Sequence, residues 1–270
     1  MHPINKILSK FNLKIIKISS PSNKYIFNND IKLNIGSGDW SYTGWTNLDH
    51  PSEYYKKLQK DHDITAFNIR EDNIPFNDDE VSIIYCSHVI EHIEDKHIQS
   101  MFNECFRVLK TNGIIRVACP DADFLYEISK LETNYWDWRK KWFLKSTDVE
   151  IAEKCRNVDF LVREIGTPKL LFYEHSINQD DYIRQFNTYD KYSFFEYITN
   201  DLKYRAEYPG DHINYWTFEK VRKMLNIAGF NFVIRSKYMG SCNNEMKNIQ
   251  RFDTTYPNMS LYVEAIKEKL

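Results

Sequence analysis

No run of apolar residues in this 270-residue chain approaches the roughly 18 that a bilayer-spanning helix needs, which excludes a helical membrane protein. Charge of one sign is not in excess either. Thirty-six basic residues stand against 38 acidic ones, a net charge of −2, so no electrostatic footprint for nucleic acid is expected. The five cysteines (Cys86, Cys105, Cys119, Cys155 and Cys242) form no C-x-x-C pair. Their odd number, and the apolar patterns around three of them, exclude a disulfide framework and a zinc ribbon. They read as free thiols in a reducing compartment, and a cytoplasmic location is expected. A signal peptide needs an uninterrupted apolar core of roughly 7–15 residues. Here Lys6, Lys10, Lys14 and Lys17 interrupt Ile4, Ile7, Leu8 and Phe11. Residues 1–30 therefore read as an amphipathic segment with a basic face, either capping the domain or touching an anionic membrane weakly.

What the chain does have is an alternation of strand and helix patterns. Residues 31–35 (IKLNI) and 45–49 (WTNLD) read as strands. Residues 81–86 (VSIIYC) form the nearly continuous apolar run of a strand buried on both faces. Ile98, Met101, Phe102, Cys105, Val108 and Leu109 share one helical stripe, and Gly113 is expected to close that helix in a left-handed cap. A strand at 114–119 follows. A second helix should start at the N-cap Thr217 and stop at Gly229, before two last strands at 230–238 and 261–266. The alternation predicts a Rossmann-like α/β fold, a mostly parallel sheet with helices on both faces. The last two strands, separated by a loop without helical pattern, are better paired as antiparallel neighbours, giving one reversed edge strand.

Between residues 121 and 210 the rhythm fails. Aromatic clusters at 135–142 (YWDWRKKW), 170–176 (LLFYEHS) and 191–198 (KYSFFEYI) replace it. The block follows a strand's carboxyl end, where open α/β sheets bind ligands, so it reads as an insertion that supplies an acceptor pocket or lid. A structural or dimerising subdomain is the second reading, which keeps a homodimer open. Trp136, Trp138, Arg139, Lys140 and Lys141 have the chemistry to stack a base and pair with phosphate. An ordinary amphipathic helix has the same composition.

The most informative stretch is KLNIGSGDWSYTGWTNLDH, residues 32–50. Gly36 and Gly38 follow a strand, so backbone N–H groups can approach a ligand closely. A dinucleotide fingerprint needs a third glycine at 41, where Ser41 stands, and a ribose-binding acid about 20 residues on. Asp49 comes much sooner, leaving little room for the helix whose start would hold a pyrophosphate. A ligand with one ribose and no phosphate needs only the turn and the acid.

These residues, together with NIPFNDDEVSIIYCSHVIEHI (73–93), NECFRVLKTNGIIRVACPD (103–121), LNIAGF (225–230) and SLYVEAIK (260–267), resemble the class I S-adenosylmethionine (SAM)-dependent methyltransferases. The likeness is to a bacterial group associated with surface-polysaccharide pathways. It covers most of the chain outside the insertion, and it implies a seven-stranded sheet with an antiparallel last strand, over residues 31–120 and 211–270. It also implies SAM as cofactor, leaving as S-adenosylhomocysteine. Gly36, Ser37 and Gly38 should pass under the methionine part, and Asp49 should accept both ribose hydroxyls. Asp63 and Ile64 should flank the adenine, and Ser87 and His88 should lie beside the sulfonium.

The H-x-x-E-H stretch at 88–92 also has the form of an inverted zinc-protease motif. Its position after a buried strand argues against a peptidase. Some quinone methyltransferases bind a divalent ion through a similar stretch, so His88, Glu91 and His92 keep a metal role open. For a hydroxyl acceptor a general base is expected, with His88 and His212 as the candidates. An anionic phosphate-like acceptor needs none. The expected activity is O-methylation of a small-molecule or nucleotide-linked capsule or lipopolysaccharide precursor, on a sugar hydroxyl or on a phosphate or phosphoramidate group. A quinone- or lipid-type methyltransferase and a non-catalytic SAM-binding module are the other readings.

Overall fold

The structure is a computed structural model, and it describes residues 30–51, 55, 59, 63–146, 149–170, 173 and 176–269. The expected amphipathic segment at the N-terminus lies outside the described residues, apart from residue 30. Seven strands form one sheet: β1 (Ile31–Ile35), β2 (Thr46–Asp49), β3 (Ile64–Ala66), β4 (Val81–Ser87), β5 (Leu109–Pro120), β6 (Phe232–Ser236) and β7 (Ser260–Ile266). Their order is β3-β2-β1-β4-β5-β7-β6. The first five run parallel, and β7 is antiparallel to both β5 and β6. The reversed strand is thus not at the edge, as the sequence suggested. It is inserted between β5 and β6, because the loop after β6 folds back over the sheet and leaves β6 outermost.

Alternation along the central strands divides the core. Leu33, Ile35, Ile84, Cys86, Ile115, Val117 and Val263 face two amphipathic helices, α1 (Asp95–Val108) and the helix Phe218–Ala228. Burying such a stripe contributes about 1.5–3 kcal/mol per large side chain. The opposite face carries Ile83, Tyr85 and Ile114, and among the described residues loops cover it: Trp40, Tyr42 and Trp45 from the β1–β2 connection, and Met246 and Phe252 from the β6–β7 connection. Helices on both faces were expected. Among the described residues aromatic rings perform the burial on this one, with Phe252 edge-on to Tyr85 at 5.1 Å between centroids.

Arg116 on β5 locks that second face. Its side chain is fully buried, and all five of its N–H donors are used. Two go to Asp253 (3.0 and 2.5 Å), and one each to Glu264 (3.0 Å), Ser236 (3.0 Å) and the Lys237 carbonyl (3.0 Å).

One cap differs from expectation. The α1 helix ends at Val108 and β5 begins at once. It is Asn112, at φ +67°, that adopts the left-handed conformation near here, and Gly113 lies within the strand. A Cβ on Gly113 would meet the Lys110 carbonyl at 2.8 Å, so glycine is needed there for close approach and not for its φ. At the last helix, by contrast, Thr217 accepts from the Lys220 N–H and Gly229 stops the helix at φ +114°, both as the sequence indicates.

The block between β5 and the last helix is helical: α2 (Ala122–Ser129), α3 (Asp137–Ser146), α4 (Val149–Lys154), α5 (Asn157–Ile165), α6 (Gln179–Thr188) and α7 (Lys191–Thr199), followed by α8 (Phe218–Ala228). The helices α2–α7 pack around their own apolar cluster, which includes Leu125, Tyr126, Trp136, Phe160, Phe194 and Phe195. Trp136 and Arg139 are buried inside it. They hold the block together and offer no surface on which a base could stack.

Candidate functional site

The carboxyl ends of β1, β2, β3 and β4 converge on one cavity of about 260 Å³. Its position follows from topology, because loops after parallel strands on either side of the order reversal leave a crevice there. The β1 strand ends at Ile35, and Gly36 (φ +68°) and Gly38 (φ +56°) then turn the chain. Gly36 donates to the Leu48 carbonyl at 2.8 Å. A Cβ on Gly36 would lie 2.3 Å from Val89 Cγ2, whereas one on Gly38 would meet nothing within 4 Å. The first glycine lets strand and helix connection approach each other, and the second leaves the turn open to a ligand.

Asp49 closes the turn from the end of β2. Its carboxylate accepts from the Gly38 and His50 backbone N–H groups, both at 2.7 Å. Burial raises its pKa above the ordinary carboxylate value, opposed by these two hydrogen bonds. A half-buried carboxylate already aimed at a glycine turn is suited to gripping hydroxyl donors.

Ser87 and His88 end β4 on the same wall. His88 is held in the left-handed region at φ +54°, where a non-glycine residue is strained. Its N–H donates to the Ala118 carbonyl at 2.8 Å. The ring is engaged on both sides: Nδ1 lies 3.1 Å from Glu91 Oε1, and Nε2 lies 2.8 Å from Ser260 Oγ. Tyr256 packs edge-on to it at 6.1 Å, and Trp138 of α3 lies over Tyr256 at 5.7 Å, which joins the helical block to the histidine. Glu91 is 1% exposed. Burial alone would raise its pKa, but the two neighbouring histidines, His88 foremost, hold it below the ordinary value, so it is an anion.

Six of the eight residues singled out for the cofactor or for catalysis on the first four strands therefore share this cavity: Gly36, Ser37, Gly38, Asp49, Ser87 and His88. Asp63 and Ile64 do not line it. Ile64 opens β3 and does not close it, and Asp63, which precedes the strand, is exposed. The wall is formed instead by the loop after the strand, Phe67, Asn68, Ile69 and Arg70. The signal for this was topological, since only the carboxyl ends of parallel strands face the crevice. Arg70 then ties three distant segments together. Its guanidinium lies 3.3 Å from the Tyr204 ring centroid, Nη2 donates to the His92 carbonyl at 3.2 Å, and Nε is 3.5 Å from Glu94 Oε2.

His212 is also not on the cavity wall. The strap that carries it is stitched to the helical block, with His212 N donating to Thr167 Oγ1 at 3.0 Å and Thr167 N to the His212 carbonyl at 2.9 Å. The ring is buried behind His92, 4.8 Å between centroids. Burial, reinforced by the Arg163 charge, holds its pKa well below the ordinary histidine value. The ring is thus set back from the cavity, behind His92, which does line it.

Residues 39–117 match a protein-family model described as "Methyltransferase domain". That segment begins just after the Gly36–Gly38 turn and runs through β2, β3, β4, α1 and most of β5, and so includes Asp49 and His88. The chain carries a SAM-dependent methyltransferase domain. Its cofactor is SAM, and both the open turn at Gly38 and the strand-end carboxylate of Asp49 fit that group. None of the curated proteins matches the chain. Among solved structures, the chain is similar to a SAM-dependent methyltransferase, possible histamine N-methyltransferase, from Thermotoga maritima (11% identity, 90% of this chain and 84% of that one, TM-score 0.43). It is also similar to a SAM-dependent methyltransferase from Archaeoglobus fulgidus (11%, 98% and 93%, TM-score 0.42) and to human N-acetylserotonin methyltransferase in complex with SAM (10%, 89% and 48%, TM-score 0.41). Among the described residues of the methyltransferase, no helix is long and apolar enough to cross a membrane.

Proposed function

We propose that the chain is an O-methyltransferase acting on a hydroxyl group, with a sugar hydroxyl of a nucleotide-linked capsule or lipopolysaccharide precursor as the acceptor. The observation that carries the hydroxyl reading is the His88–Glu91 pair on the cavity wall, with Glu91 anionic and 3.1 Å from Nδ1. Bound SAM supplies an electrophilic methyl group on a sulfonium and leaves as S-adenosylhomocysteine. Asp49 would hold the ribose hydroxyls, the turn at Gly36–Gly38 the methionine part, and the loop Phe67–Arg70 the adenine end. The chain's own work is then alignment, exclusion of water and removal of one proton. His88 Nε2 takes the proton of the acceptor hydroxyl after exchanging its Ser260 partner for that hydroxyl, and Glu91 stabilises the imidazolium from the Nδ1 side. The sugar assignment rests on the resemblance of the five sequence stretches quoted above.

A phosphate or phosphoramidate oxygen is the second reading, and it rests on the same sequence resemblance. Such an acceptor is already anionic and needs no base. Turnover of labelled SAM against nucleotide-linked sugars, phosphoramidates and quinones separates these readings. His88→Ala should lower kcat by about 10²–10⁴-fold on a hydroxyl acceptor. Unchanged kcat rejects the base, and absence of turnover on every acceptor class with SAM bound leaves a non-catalytic binding module as the better account. Asp49→Ala should weaken S-adenosylhomocysteine binding by about 100-fold or more, the loss of two charge-assisted hydrogen bonds. Equal affinity in calorimetry would remove Asp49 from the cofactor site.

A further inference from the structure

Behind the cavity wall, Glu91, His92 and His212 each present one ligand atom, and these atoms lie within 4.8 Å of one another. The methyl-transfer reading gives no role to His92 or His212. Two further observations give the cluster direction. His92 Nδ1 lies 2.9 Å from the Asp211 carbonyl, and His212 Nδ1 lies 2.8 Å from the Glu164 carbonyl. A carbonyl oxygen only accepts, so both Nδ1 atoms must carry the hydrogen. In the neutral rings Nε2 is then left with its lone pair, and among the described residues no hydrogen bond engages either Nε2. This is the arrangement in which a backbone carbonyl fixes the tautomer and orientation of a metal-binding imidazole. The third member is a carboxylate 1% exposed, whose Oε1 lies 3.1 Å from His88 Nδ1 and whose oxygens otherwise have no hydrogen-bond partner among the described residues. A buried carboxylate with one imidazole beside it still has lone pairs to satisfy, and a cation would satisfy them.

We propose that Glu91, His92 and His212 form a binding site for one divalent transition-metal ion of the zinc type. Two imidazole nitrogens and one carboxylate oxygen are the donor set of an open tetrahedral site, with a fourth position left for water or substrate. Zinc–nitrogen distances of about 2.0–2.1 Å set ligand–ligand separations of roughly 3.4 Å in a tetrahedron, so side-chain rotations of about an ångström close the cluster. His92 also lines the cofactor cavity, which puts the ion at the boundary between that cavity and the strap at 209–217. Sequence spacing alone does not produce this set: His212 lies far along the chain, and the tertiary fold brings it to the H-x-x-E-H turn in place of His88. The site shares Glu91 with the methyl-transfer reading, in which that carboxylate faces His88 Nδ1, whereas His92 and His212 are there whatever the acceptor is.

The test is calorimetry of the chelator-treated full-length chain with Zn²⁺, and absorption spectroscopy with Co²⁺ as the probe. One ion per chain is expected, with the ligand-field bands of a four- or five-coordinate Co²⁺. Glu91→Gln and His212→Asn should each weaken binding by at least about 100-fold, and His97→Ala on α1 should leave it unchanged. Zinc should raise the Tm of the wild type and not of the two variants. An octahedral, weak Co²⁺ spectrum in the wild type overturns the proposal whether or not the variants fold, as does equal affinity in Glu91→Gln. S-adenosylhomocysteine binding is measured in parallel, so that failure of the metal site and failure of the cofactor site are seen separately.

Discussion

Gly36 offers a test in which geometry sets the size of the effect. Alanine at this position must adopt φ +68°, which costs about 1–2 kcal/mol for an L-residue. Its Cβ would also lie 2.3 Å from Val89 Cγ2 and 2.9 Å from Cγ1, well inside van der Waals contact, and overpacking of this kind costs about 1–3 kcal/mol. Gly36→Ala should therefore lower stability by about 2–5 kcal/mol. Val89→Ala alone removes two buried methyl groups, at about 0.8 kcal/mol each plus a cavity. The double variant keeps the φ cost but loses the clash, since only the Val89 Cβ, at 3.2 Å, remains close. The two changes should therefore be non-additive, with a favourable coupling of about 1–3 kcal/mol. Urea unfolding of the four proteins with an unchanged m-value measures it, and S-adenosylhomocysteine calorimetry reports whether the relieved turn recovers its ligand. Additivity within about 0.5 kcal/mol would mean that the turn moves freely and that Gly36 is not there for close approach.

Arg116→Met should destabilise the fold by about 3–5 kcal/mol in urea unfolding, because it strands the buried Asp253 and Glu264 carboxylates; a loss under 1 kcal/mol would contradict the pinning role given to this network. Asp159 on α5 is buried and accepts from Tyr182, Gln179 and the Arg156 N–H, and burial pushes its pKa up to about 6. Because the folded value exceeds the ordinary one, its contribution is fully present below about pH 4 and is lost as pH rises through about 6, a swing of about 3 kcal/mol. Wild-type stability should consequently fall relative to Asp159→Asn across that window, and parallel pH curves would show that the carboxyl is not perturbed. Thr217→Ala removes the side chain that caps α8 and should cost about 1 kcal/mol in thermal unfolding.

The amino-acid order alone determined the strands β1, β2 and β4, the stripes of α1 and α8, the Thr217 and Gly229 caps, and the glycine turn with its acid. Each of these is set by contacts between residues close in the chain, through side-chain period, a cap, or a strand end meeting a turn. Tertiary structure decided what depends on distant partners. Asp63 and the loop at 67–70 read alike as a sequence, and only the direction of β3 puts the loop at the cavity and Asp63 away from it. The reversed strand took an inner place because the loop before it covers one face of the sheet with Phe252 and Asp253, an arrangement fixed by Arg116 far upstream. The two candidate bases parted for the same reason. His88 follows a buried strand directly, so local order sets its position, whereas His212 rides on a strap whose path is fixed by Thr167, and that path puts it beside His92 and Glu91.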